Sequence, residues 1–264
     1  MPLSDYHVHT LLCNHATGTM DACARKALSL GLSGMCFLEH LTIRPDGSHL
    51  SMSVEEVPLY FLAARQTRNR YASCLDVLVG LEVDFDPEHM GQVKKVTDTF
   101  AFDLVAGSVH FVGPRNIVSR RTGQSLPGED AAAVVSGYLD KLEALVESGF
   151  FDVVCHLDVV KKFGRPFPCG FEDKVERIVS KIAQKGLAVE LNTAGFRHAA
   201  ARSYPDAWLL EKIAKAGIGM TLGSDAHAAD EIGKDFDKAR ALLKNAGVTH
   251  LTAFSKRRSR QVAI

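Results

Sequence analysis

No apolar run in this chain approaches the ~18 residues that a membrane span requires. Its first ten residues, MPLSDYHVHT, put charge and histidine where a secretory signal would carry a cationic start and an apolar stretch. A soluble, cytoplasmic protein with no membrane partner is expected. The six cysteines (Cys13, Cys23, Cys36, Cys74, Cys155, Cys169) form no C-x-x-C pair, which argues against a thiolate zinc site or a disulfide framework and for reduced thiols filling the core. Net charge is also missing, because 31 basic and 31 acidic residues cancel. Without a global positive field or an aromatic-basic stripe, a polymeric nucleic acid is a poor partner, and an anionic substrate has to be held locally. No internal repeat, low-complexity tract or Pro/Ser linker divides the chain, so one domain over residues 1–264 is expected. No pattern in it specifies an oligomeric state.

Short β-rich apolar runs alternate with longer segments of helical period, the pattern of parallel strands joined by crossover helices. Strands are predicted at 3–8, 34–38, 76–82, 103–107, 152–156, 187–191 and 218–223, with a weaker one at 248–251. Helices are predicted at 19–31, 53–73, 88–98, 129–148, 171–185, 205–216 and 230–246. Ser53 and Glu56 have capping-box spacing, and Gly31, Gly149, Gly186, Gly217 and Gly247 stand where helices end. Seven or eight such units imply an α/β fold closed, or nearly closed, into a barrel. The stretch from Phe111 to Gly128 reads as an irregular active-site loop, and the basic tail 255–260 (SKRRSR) as a solvated terminus.

Eleven histidines are the compositional surprise. Nearly every predicted strand ends in a histidine or a carboxylate, and in a β/α barrel those strand ends converge at the active-site face. His7 and His9 alternate to one side of the first strand, and His15 follows in the next loop. The other candidates are His40, Glu82, His110, His156, Asp225 and His227. Seven imidazoles and two carboxylates exceed the three or four donors that one ion uses, so more than one zinc, manganese or iron ion is implied, with bridging carboxylates at Glu82 and Asp225. His49, His89, His198 and His250 fall in predicted loops, helix starts or the tail, where a surface role is expected.

These residues, as His7-Val8-His9, His15, Glu39-His40, Glu82, His110, His156 and Asp225-Ala226-His227, resemble the motif set of the polymerase and histidinol phosphatase (PHP) superfamily across residues 5–227. GLEVD (80–84), GSVHF (107–111), HLDVVKKFG (156–164), ELNTAGFR (190–197), YPD (204–206) and LGSDAH (222–227) are most similar to its histidinol-phosphatase branch. The resemblance implies a distorted TIM-like (β/α)7 barrel and a cluster of two to three divalent ions. One ion would be held by His7, His9, Glu82 and Asp225, a second by Glu82, His110 and His156, and a third by His15, His40 and His227.

Clustered divalent ions suit phosphomonoester hydrolysis, since they provide hydroxide at neutral pH and neutralise phosphoryl oxygens. Asp225 and His227 are candidate proton-handling groups, and Arg197, Lys161 and Lys162 are candidate cations for the substrate phosphate. The resemblance makes L-histidinol phosphate the expected substrate. Two competing readings are a PHP-type phosphoesterase or exonuclease on nucleotides, and a non-catalytic metal-binding module.

Overall fold

The computed structural model describes residues 3–44, 49–120, 131–164 and 170–264. The chain opens with β1 (Ser4–Val8), α1 (Met20–Ser29), β2 (Gly34–Leu41), α2 (Val57–Tyr71), β3 (Asp76–Asp84), α3 (Met90–Thr99) and β4 (Leu104–Ser108). A small hairpin, β5 (Phe111–Val112) and β6 (Arg115–Asn116), precedes α4 (Ala131–Glu147). Then come β7 (Val153–Val154), α5 (Glu172–Lys185), β8 (Ala188–Asn192), α6 (Ala207–Lys215), β9 (Met220–Gly223), α7 (Phe236–Asn245) and a terminal hairpin of β10 (His250–Ser255) and β11 (Arg258–Ala263).

Seven strands pair in parallel in the order β1-β2-β3-β4-β7-β8-β9. The two edges meet just beyond β9, where His9 N–H donates to Ala226 O (2.9 Å) and Ala226 N–H to His7 O (3.1 Å). Buried Asp5 fastens the same seam, accepting from Ser224 N–H (2.9 Å), Ser224 Oγ–H (2.5 Å) and Gly233 N–H (2.9 Å). The result is a nearly closed, distorted (β/α)7 barrel. The helices bury one stripe each on its outside; in α5, Val175, Ile178, Val179 and Ile182 recur at helical spacing and are buried. The Ser53–Glu56 capping box forms just ahead of α2, and Gly186 ends α5 in the left-handed region (φ 68°), where other residues are strained.

The barrel interior is filled by small and medium side chains, among them Cys36, Leu38, Leu78, Ala106, Val153 and Cys155. Ala253 and Phe254 of β10 join this cluster at the N-terminal ends of the strands, where Phe254 N–H donates to the Tyr6 hydroxyl (3.2 Å).

One expectation needs correction here and one needs refinement. The weak strand at 248–251 is not an eighth barrel strand, and the basic tail, solvated as expected at 255, 256 and 258–260, is ordered. Both belong to the β10–β11 hairpin, whose register, Ser255 opposite Arg258, leaves Lys256 and Arg257 as a two-residue turn with positive φ at both positions (49° and 61°). Arg257 then reaches under the barrel, donating from Nε to Asp152 Oδ2 (2.9 Å) and from its backbone N–H to Asp103 O (2.8 Å). Of the predicted Phe111 to Gly128 loop, the first part is the β5–β6 hairpin, while 121–128 lies outside the described residues, as does Cys169. Among the described residues no helix is long and apolar enough to cross a membrane.

Candidate metal centre and active site

Strand register assembles the site. Parallel pairing puts His40 of β2 opposite Glu82 of β3, so the two side chains leave neighbouring strands at one height. Glu82 is fully buried and stands at the centre. Its Oε2 lies 2.7 Å from His40 Nδ1, 3.3 Å from His7 Nε2 and 3.7 Å from His9 Nε2. Its Oε1 lies 2.8 Å from His156 Nε2 and 3.4 Å from His110 Nε2. Asp225 closes the ring, with Oδ1 3.2 Å from His9 Nε2, 3.9 Å from His7 Nε2 and 3.6 Å from His227 Nδ1. His15, His40 and His227 offer nitrogens that lie within 4.8 Å of one another. The nine residues singled out in the sequence therefore converge on one strand-end face. Two of them, His156 (φ 25°) and Asp225 (φ 53°), hold a backbone conformation that non-glycine residues rarely adopt, a local strain of the kind found at functional sites.

A layer of acceptors orients these imidazoles. Glu190 Oε1 stands 2.6 Å from His7 Nδ1, while its Oε2 accepts from the His156 backbone N–H (2.9 Å) and from Asn192 Nδ2 (3.1 Å). Glu39 Oε1 is 3.3 Å from His9 Nδ1 and accepts from His40 N–H, and Thr10 donates to its other oxygen from N–H and hydroxyl alike. His15 Nδ1 faces Cys13 O (2.7 Å) and His227 Nδ1 faces Asp225 O (3.1 Å). A carbonyl can only accept, so both rings carry hydrogen on Nδ1 and turn the Nε2 lone pair inward. Glycine at 223 makes room for this layer, because a Cβ there would stand 2.2 Å from Glu190 Oε1 and 2.7 Å from His7 Cβ.

Charge in the site is arranged for cations. Burial opposes ionisation of Glu82, yet the surrounding His40, His7 and His110, with a hydrogen bond from His156, outweigh it and hold its carboxyl well below the usual range. Asp225 is held low in the same way, with burial overcome by His7, His9 and His227. Burial and the neighbouring His9 drive His227 the other way, toward the neutral imidazole that ligation requires, and its buried Nε2 has no hydrogen-bond partner among the described residues. Burial likewise keeps His15, His40 and His110 toward the neutral form, whereas the adjoining carboxylates raise His7, His9 and His156, which would release a proton on taking up a cation. Ionised carboxylates among clustered imidazoles fit divalent ions of the borderline class.

The PHP domain family matches residues 5–194. The chain belongs to the PHP family. A probable histidinol-phosphatase of Deinococcus radiodurans is 37% identical over 93% of this chain and 94% of its own length. The histidinol-phosphatase of Bacillus subtilis is 27% identical over 90% of this chain and 98% of its own. The crystal structure of histidinol phosphate phosphatase from Lactococcus lactis, complexed with zinc, L-histidinol and phosphate, superposes with a TM-score of 0.85 at 25% identity, covering 98% of each chain.

Within this PHP chain the donors form the floor of a cleft. Its walls carry Thr42, Phe111, Asn116, Arg120, Val159 and Lys162. The two lysines of the HLDVVKKFG segment separate. Lys162 lines the cleft, where burial lowers its pKa. Lys161 is buried between Asp158 and Asp206 (Nζ to Asp206 Oδ2, 2.5 Å), so it holds the fold together and does not face the cleft as expected. Arg197 is likewise turned to protein, donating from Nη2 to Ser224 O (2.8 Å) with Nε 3.7 Å from Glu231, while its Nη1 has no hydrogen-bond partner among the described residues. That placement supports the loop carrying Asp225 and His227. His198 reverses the surface expectation, for it lines the cleft beside Lys162. Glu39 and Glu190 were not singled out in the sequence, although a carboxylate inside an apolar strand (FLEH, AVELN) is itself a signal, since a buried charge needs partners.

Proposed function

We propose that this chain is a histidinol-phosphatase, a phosphoric monoester hydrolase that converts L-histidinol phosphate and water to L-histidinol and inorganic phosphate in histidine biosynthesis, acting in the cytoplasm as one domain over residues 1–264. The observation that carries this reading is the end-to-end likeness to an enzyme solved with zinc and both products of that reaction. The Deinococcus and Bacillus relatives, matched over nearly their whole length, agree with it.

The donor set supports two to three divalent ions, zinc, manganese or iron. His7, His9, Glu82 and Asp225 would hold one, Glu82, His110 and His156 another, and His15, His40 and His227 a third. When bound, such ions supply an activated water at neutral pH and offset charge on the phosphoryl oxygens. The chain's own groups do the rest. Lys162 and Arg120 bring positive charge to the cleft wall, where a phosphate dianion needs it. Val159 and Phe111 give the wall its apolar surface, which strengthens those contacts by excluding water. Asp225 and His227 are the candidate proton-handling groups of this reading, a role that requires an atom of each that is not engaged by metal.

A panel of phosphomonoesters and nucleotides on metal-replete protein tests the proposal. Histidinol phosphate is expected to have the highest kcat/KM, far above a generic aryl phosphate. A preference for nucleotides or single-stranded DNA would replace the substrate assignment and leave the metal hydrolase in place, whereas inactivity on every ester would favour a binding module.

A further inference from the structure

Resting on the phosphomonoesterase reading above, we propose that His198 is a phosphate-binding residue, a neutral imidazole that donates from Nε2–H to a phosphoryl oxygen, and that Tyr204 is the positioning residue that fixes its tautomer. His198 Nδ1 lies 3.2 Å from the hydroxyl of buried Tyr204. Among the described residues this is the only hydrogen bond of that hydroxyl. Burial pushes the phenol up, so it keeps its proton at any physiological pH.

A buried hydroxyl hydrogen needs an acceptor, and only one arrangement provides it. If His198 carried its hydrogen on Nδ1, that N–H would meet the hydroxyl oxygen and the phenolic hydrogen would be left without a partner. With Tyr204 donating to Nδ1, every buried polar atom of the pair is satisfied. His198 is then protonated on Nε2, on the ring edge away from Tyr204. The ring lines the cleft and Tyr204 does not, so that edge is presented to the space walled by Lys162, His156 and Asp225.

The environment keeps the ring in this state. Burial and then the Lys162 ammonium hold His198 down at about 4, so it is a hydrogen-bond donor without a charge. A neutral imidazole N–H loses its proton only far above the operating pH, which makes it a poor general acid and assigns His198 to recognition and not to leaving-group protonation. Lys162 supplies charge and His198 supplies direction. Together they make a protein-borne clamp on the phosphate, on the wall beside the metal-ligand floor.

The test compares wild type with His198→Ala, His198→Gln and Tyr204→Phe as metal-replete proteins. Inorganic phosphate and L-histidinol are the probes, each by competitive inhibition and phosphate also by calorimetric titration. His198→Ala is expected to weaken phosphate binding about 10- to 100-fold, the loss of one hydrogen bond to a charged group, with histidinol inhibition within about two-fold of wild type. His198→Gln, whose amide can still donate, should recover part of the loss. Tyr204→Phe should weaken phosphate binding by about two- to five-fold, because the tautomer is no longer enforced. Unchanged phosphate binding in His198→Ala at full metal content overturns the proposal, as does an equal loss for both probes. If Tyr204→Phe does not fold, the two His198 variants still decide. Absence of histidinol inhibition in wild type would count against the substrate assignment alone, because phosphate binding is read separately.

Discussion

Glu190 binds His7 and His156 together through its two oxygens: Oε1 is 2.6 Å from the His7 ring, and Oε2 accepts the His156 backbone N–H at 2.9 Å. One carboxylate on β8 thus orients the His7 imidazole of β1 and pins the backbone that carries His156 just after β7. Glu190→Gln keeps the shape and removes the charge that makes His7 a strong donor. We expect metal affinity to fall roughly 10- to 100-fold, read by titration of the apoprotein with zinc or manganese. Wild-type affinity would mean that Glu190 serves only to seal the barrel.

Glu82→Gln addresses the centre of the cluster. Both oxygens of Glu82 are surrounded by five imidazoles at 2.7–3.7 Å. Removing its charge should cut kcat by orders of magnitude and lower the metal content seen by elemental analysis, with the far-ultraviolet circular dichroism unchanged. Normal turnover at full occupancy would place the bridging charge elsewhere.

The neighbouring lysines should part in function. Lys161→Met leaves Asp158 and Asp206 buried without their cation, a loss of about 3–5 kcal/mol of stability, visible as a lowered urea midpoint. Lys162→Met should leave stability within about 0.5 kcal/mol of wild type and lower kcat/KM about ten-fold or more. The reverse pattern would exchange their roles.

Arg257→Ala should loosen the floor of the barrel. Asp152 loses its partner there, and the turn loses its tie to the start of β7. A destabilisation of about 1–3 kcal/mol in denaturant, with KM unchanged, is the expected result. A raised KM would tie the hairpin to the site.

Much of this molecule is legible in its sequence because strand periodicity and barrel geometry make one joint statement. Residues at strand ends converge, so His7, His40, Glu82 and His156 are identifiable as neighbours from the order of residues alone. What escaped depends on direction within a few ångströms. Lys161 and Lys162 are adjacent in a short 3-10 turn, and nothing in the residue types says which faces the cleft. Arg197 sits inside a recognisable segment but gives one arm of its fork, Nη2, to Ser224 O. His198 needed Tyr204, six residues on, to give it an orientation. In the tail the basic residues face solvent as they read, except Arg257, which is drawn back by Asp152.

The seam between β1 and the segment after β9 has a further consequence. His7, His9 and His15 come from β1 and the loop after it, Asp225 and His227 from the loop after β9, and Val8 pairs with Ala226 across the gap. During synthesis the first three therefore emerge well before the last two. A chain truncated before 225 holds those histidines without Asp225 or His227, so on the ligand assignment proposed above full metal capture would report that β1 and the segment after β9 have met.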